Sequence, residues 1–273
     1  MNMHLSAAVV FLYGLFIGSF LNVVLVRYNT GRTMVTGRSM CFSCGKTLAW
    51  HELVPVASFL FQGGKCRTCK SRVSWQYPLV ELATGVLFAM VVLFLPVARE
   101  NVLELLYYLA VVSTLLVIAV YDLRHKIIPD LFAYLFAGLG LVHLVASAGV
   151  PEVFHGEALM ALIAGPLFAL PIAALWFFSD GRWIGLGDAK LALGIGWFLG
   201  LALGGSAMVL SFWIGAVVGL ALVGLARLRV RFMHGARVSL KSEIPFGPFL
   251  ILATLIVLFT HLNVFALEMR WFL

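Results

Sequence analysis

Hydrophobic positions in this chain come in long runs, separated by short stretches that hold most of the charge. A helix needs about 20 apolar residues to cross a bilayer. Eight runs qualify as spans: residues 5–26, 79–97, 104–121, 131–149, 159–178, 189–203, 207–226 and 246–266. The sixth, LALGIGWFLGLALGG, is short and glycine-rich, which points to a tilted, broken or protein-shielded helix. Gly204, Gly205 and Ser206 follow it, and a connection that tight joins two antiparallel helices. Only His4 supplies positive character before the first run, which is also longer than a signal-peptide h-region, so it is read as a retained helix.

Composition narrows the class. Hydrophobic residues make up 62% of the 273 positions and charged residues 11%, against about 25% charged in an ordinary soluble domain. The expected fold is an all-α integral membrane protein of about eight transmembrane helices with a small cytoplasmic zinc-binding loop domain. The expected division is a first transmembrane helix over 1–26, a zinc-ribbon-like cytoplasmic domain over 27–78, and a seven-helix membrane core over 79–273.

Lys and Arg number 19 against 12 Asp and Glu. In a membrane protein that excess reports orientation, because basic residues concentrate on the cytoplasmic side, and no nucleic-acid partner is implied. With eight spans, every basic residue except Arg99 and Arg270 falls on one face, which becomes the cytoplasmic one and places both termini outside. The aspartates Asp122, Asp130, Asp180 and Asp188 share that face. Trp50, Trp75, Trp183 and Trp271 are candidate anchors at the lipid interface.

The segment 27–78 contains all four cysteines, in CFSC at 41–44 and CRTC at 66–69. Two C-x2-C turns present four thiolates as a tetrahedron, the geometry of structural zinc. Gly45, Gly63 and Gly64 allow the tight bends beside them. About 50 residues cannot build much core without such a staple. The competing readings are disulfides, which a reducing cytoplasm disfavours, and a redox C-x-x-C.

Asp122 closes the third span and Asp188 opens the sixth, both at one interface, so they can be at one depth and can face each other if the third and sixth helices are neighbours. Arg124, His125 and Lys126 place positive charge beside Asp122, and an arginine-paired, snorkelling residue is the competing reading there. Asp130 follows Pro129 and reads as a helix-start acid. Gly185 and Gly187, before Asp188, permit positive φ and close approach of another backbone, such as an extended peptide substrate. Two adjacent carboxylates share one proton. The charged one can activate water while the neutral one polarises a peptide carbonyl, which is aspartic protease chemistry.

GLFIGSFLNVVLVRY (14–28), the two C-x-x-C turns, YPLVELATG (77–85), YDLRHKIIPD (121–130), GLGDAKL (185–191) and IPFGPFL (244–250) together resemble the type IV prepilin peptidases of bacterial pilus and type II secretion systems. The resemblance implies catalysis by Asp122 and Asp188 at the cytoplasmic face of the bacterial inner membrane. It implies a prepilin or pseudopilin substrate whose basic leader is cut after glycine and whose new amino terminus is methylated with S-adenosylmethionine. Gly185, Gly187, Lys190 and Glu81 are supporting candidates. Membrane lipid is the other expected partner, and Glu52, Asp180 and Glu243 are candidates to contact the leader.

Two other function classes fit parts of this pattern. A proton-coupled transporter expects polar groups near the midplane and repeated halves. A non-catalytic assembly factor expects the cysteine loop, and not the aspartates, to be essential.

Overall fold

A computed structural model describes residues 3–95, 101–232 and 245–269. Described residues are helical apart from connecting loops and two isolated β-bridges. The helices are α1 (Met3–Arg27), the short α2 (Ala57–Phe61), α3 (Gln76–Phe94), α4 (Val102–His125), α5 (Asp130–Ala148), α6 (Gly156–Ser179), α7 (Leu186–Phe232), α8 (Gly247–Thr260) and α9 (Val264–Met269). Six of them are long and apolar enough to cross a membrane, and α8 is a shorter apolar helix. The chain divides into two compact units, Met1–Val120 and Tyr121–Leu273.

In the first unit, α1 packs along α3. The contact is made by small residues. A Cβ on Gly14 would lie 2.8 Å from the Gly85 Cα, and one on Gly18 would lie 2.6 Å from the Glu81 Cα. The four-residue spacing of Gly14 and Gly18 puts both on one helix face, and in lipid such faces let backbones approach and gain van der Waals contact. Asn22, one turn further on, is buried and donates to the carbonyls of Gly18 and Tyr77. Arg27, at the end of α1, folds the following loop back by donating to the carbonyls of Thr33, Thr36 and Arg38.

In the second unit, the glycine-rich run expected to be tilted, broken or shielded is both broken and shielded. α7 is two helices separated at Gly200, whose φ of 73° and ψ of −171° no helix allows. The reversal falls there, a few residues before the expected Gly204–Ser206 connection. Met208 packs on the cluster of Ile172, Ala189 and Ala192, although a straight helix would put Met208 about 24 Å from Ala192. Residues 186–199 form the first half, α7a, and 201–232 the second, α7b. No residue of α7a is exposed.

Glycines on α7a admit neighbours from two sides. A Cβ on Gly196 would meet the backbone of Ala164 and Gly165 in α6 at 2.5 Å. One on Gly194 would meet Phe136 of α5 at 2.5 Å. Leu191, Ala192 and Ile195 are wholly buried as a result. α6 carries Pro166 and Pro171 inside a continuous helix.

Gly196→Ala should therefore lower the unfolding midpoint of the detergent-solubilised chain, since overpacking costs about 1–3 kcal/mol. Gly219→Ala, a site with nothing within 4 Å, should leave that midpoint unchanged or raise it slightly.

Candidate functional site

Asp122 does not end its helix. α4 continues to His125 and stops where Lys126, at φ 55°, donates its amide to the Asp122 carbonyl at 2.7 Å. A left-handed residue there ends the helix, and Pro129 then fixes the extended approach to α5. Asp122 is thus turned inward and is 4% exposed, whereas its neighbour Leu123 is 63% exposed. The Gly247 amide donates to its carboxylate. A Cβ on Gly247 would lie 2.6 Å from Asp122 Oδ2.

Asp188 is 7% exposed and sits in the first turn of α7. Its Oδ2 accepts from the Gly185 amide at 3.2 Å, in the manner of the acid that closes a helix N-terminus. Its Oδ1 is buried with no hydrogen-bond partner. The two carboxylates lie close enough to repel one another.

Ile128 bridges the two neighbourhoods. Its Cβ would lie 2.7 Å from a Cβ on Gly187, and its Cδ1 3.0 Å from one on Gly247. Gly187 and Gly185 do not adopt positive φ. Their absent side chains serve space alone, and at Gly187 a side chain of this protein occupies that space. Neither Ile128 nor Gly247 was singled out in the sequence. Both lie in stretches that drew attention, IIPD and IPFGPFL, but their roles depend on contacts between distant segments.

Asp130 is the first residue of α5 and its side chain is 65% exposed. Lys190 Nζ reaches its Oδ1 at 2.6 Å and lies 5.2 Å from the Tyr134 ring centroid. Lys190 therefore ties α7a to α5 and neutralises Asp130. Among the acids expected to contact the leader, Asp180 is an exposed left-handed cap of α6. Glu52 is buried against Lys46, and the Ala49 amide, ahead of that lysine, holds its carboxyl below the usual range. It is not free to meet a leader peptide. Glu243, Arg99, Arg270 and Trp271 lie outside the described residues.

The cysteines form a second cluster, in the first unit. The Sγ atoms of Cys41, Cys44, Cys66 and Cys69 lie within 4.8 Å of one another and no disulfide joins them. Cys41 Sγ and Cys69 Sγ are 3.8 Å apart, the edge of a tetrahedron with bonds of about 2.3 Å. Each turn is closed the same way: Met40 bridges Thr47 and Lys65 bridges Arg72. The Cys41 amide donates to Lys46 and the Cys66 amide to Ser71. Gly45 and Lys70 take the same left-handed position, four residues after the first cysteine of each turn. The Cys44 amide, helped by Ser43 and the Ser71 hydroxyl, holds the Cys41 thiol down at about 6. Four sulfurs converging at these distances fit zinc.

Glu81 is buried on α3, where its Oε2 accepts the Val56 amide at 2.7 Å and Ser19 adds a second hydrogen bond. Val56 has φ 59°, an uncommon conformation for a β-branched residue. Glu81 thus pins a strained turn of the loop onto the α1–α3 pair.

Residues 12–95 match the bacterial peptidase A24 N-terminal domain, and residues 109–220 match the type IV leader peptidase family. A prepilin leader peptidase/N-methyltransferase of Bacillus subtilis (strain 168) is 34% identical over 242 residues, covering 88% of this chain and 89% of that protein. One from Klebsiella pneumoniae is 33% identical over 199 residues, covering 70% and 83%. One from Pseudomonas aeruginosa is 28% identical over 275 residues, covering 90% and 88%. No solved structure matches significantly.

The bridging position of Ile128 is testable by itself. Ile128→Ala should destabilise the chain by about 2–5 kcal/mol through the cavity it leaves, read as a lowered denaturation midpoint. Ile127→Ala, at a position 63% exposed, should not.

Proposed function

This chain belongs to the type IV leader peptidase family, and we propose from that premise that it is an aspartic endopeptidase of the bacterial inner membrane using Asp122 and Asp188. The observation that carries the reading is the pair of buried, mutually repelling carboxylates, one with an unpartnered oxygen. A buried acid without a cation costs stability, and two of them side by side point to a function that offsets the cost. Asp130 is set apart from that work by its exposure and by Lys190.

The chemistry follows from two acids sharing a proton. The ionised carboxylate takes a proton from water as the oxygen attacks the scissile carbonyl. The neutral acid donates a hydrogen bond to that carbonyl oxygen as negative charge develops. Collapse of the tetrahedral adduct breaks the C–N bond, and the proton taken from water passes to the departing amine. Lys190 holds α7a against α5 and so fixes the rotation of Asp188, Ile128 fills the space beside Gly187, and Gly185 leaves room next to the Asp188 carboxylate.

The substrate is a prepilin or pseudopilin, cut after glycine between a basic leader and a hydrophobic helix. The helix lies in the bilayer among this chain's own spans. The sorting of Lys and Arg supports a cytoplasmic location for the aspartates and the cysteine loop, with both termini periplasmic. Trp50, Trp75 and Trp183 are all exposed and suit the lipid interface.

Cys41, Cys44, Cys66 and Cys69 hold a structural zinc, which cross-links the two halves of a loop that has little core. Methylation of the new amino terminus with S-adenosylmethionine rests on the relatives' names. Glu81, whose hydrogen bonds go to Val56 and Ser19, supports the loop and is given no step in that reaction.

Co-expression with a prepilin, followed by mass measurement of the pilin, tests the reading. Wild type should remove the leader, and Asp122→Asn and Asp188→Asn should each reduce removal to background, because asparagine keeps the shape but cannot cycle a proton. Cleavage by both variants at the wild-type rate would return the chain to the assembly-factor class. Purified wild type should carry about one zinc per chain, held tetrahedrally by the cysteine sulfurs, and Cys44→Ser should lose it.

A further inference from the structure

The two carboxylates are held differently. We infer that Gly247 is a positioning residue for peptide cleavage, whose amide keeps Asp122 as the resting carboxylate while Asp188 carries the shared proton. This rests on the dyad reading above and assigns its two roles.

Gly247 is the first residue of α8, a helix of 14 residues. Amides at a helix start have no partner inside the helix and carry partial positive charge. Pro248 follows and has no amide, so the Gly247 N–H is the donor that this turn offers, and it goes to Asp122. Its place requires glycine. A Cβ there would lie 2.6 Å from Asp122 Oδ2, 3.4 Å from Asp122 Cγ and 3.0 Å from Ile128 Cδ1. Its φ is outside the left-handed region, so the constraint is space and not backbone conformation.

Asp188 also stands at a helix start, and its Oδ2 accepts the Gly185 amide. Its Oδ1, however, is buried with no partner. A charged carboxylate oxygen that is buried and bare is costly, and neither oxygen of Asp122 is left in that state. A neutral acid needs only one: Oδ2 stays the acceptor and Oδ1 becomes a hydroxyl, which lacks only the carbonyl that a substrate brings. The remaining charged or titratable side chains nearby are engaged elsewhere. His125 stacks on Tyr121 with centroids 4.4 Å apart, and Lys190 is paired with Asp130. Arg124 and Lys126 are exposed at the end of α4.

In catalysis Asp122 accepts the water proton and Asp188 donates to the carbonyl oxygen. After C–N cleavage the amine leaves with the proton from Asp122, and Asp188 is again protonated as the carboxyl product forms.

Two measurements on the full-length, liposome-reconstituted chain decide this. Steady-state cleavage of a prepilin by Gly247→Ala should show kcat reduced about 100-fold, the scale of an ångström-sized misplacement, with KM within about threefold of wild type. A kcat equal to wild type overturns the positioning role. Difference infrared spectroscopy near neutral pH should show a protonated-carboxyl C=O stretch that disappears in Asp188→Asn and persists in Asp122→Asn. Any other distribution of that band overturns the proton assignment, and the band decides alone if Gly247→Ala fails to accumulate. The outcomes separate the two levels. If both asparagine variants still cleave, the dyad itself is wrong. If they are inactive while Gly247→Ala matches wild type, the dyad stands and the role of Gly247 falls.

Discussion

Close backbone approach along α7a is the contact on which the second unit depends. In lipid there is little hydrophobic force to press one helix on another, so association relies on packing at short range. Gly194 and Gly196 let α5 and α6 come close to α7a. That approach buries Leu191, Ala192 and Ile195 completely, and the same helix carries Asp188 in its first turn. A carboxylate can be held in one orientation there because the helix behind it has no freedom to roll. Lys190, two residues on, adds an ion pair to Asp130 on the α5 side.

Much of this was legible in the sequence, for a physical reason. Bilayer thickness fixes the length of a spanning helix, so hydrophobic run length alone found α1, α3, α4, α5 and α6. The C-x2-C spacing was equally informative, because short turns leave sulfurs few places to go, and the four converge as expected. Less legible was anything set by contact. The glycine-rich sixth run looked weak in isolation, yet its first half has no exposed residue. The reversal at Gly200, and not at Gly204–Ser206, depends on which glycine its neighbours leave free. Gly204 and Gly205 are used instead against Phe168 and Phe265.

The aspartates show the same division. Their residue type and place in the chain marked a pair, and the structure buries both Asp122 and Asp188. The sequence offered a left-handed backbone or an open approach as the reason for Gly185 and Gly187. Gly187 is instead filled by Ile128, a contact that no local pattern encodes. Gly14 and Gly18 make a comparable close contact in the first unit, and there the four-residue spacing was a signal available in the sequence.

The length of α8 carries a consequence for solvent. Its 14 residues rise about 21 Å, well short of a hydrocarbon core of about 30 Å. A spanning element that short is accommodated by local thinning of the bilayer, by snorkelling of flanking residues or by oligomerisation. Thinning beside α8, whose first residue packs on Asp122, would bring bulk water and headgroups toward the carboxylates. A hydrolase set in a membrane must obtain its second reactant from the aqueous phase, and a local pinch in the leaflet would shorten that path.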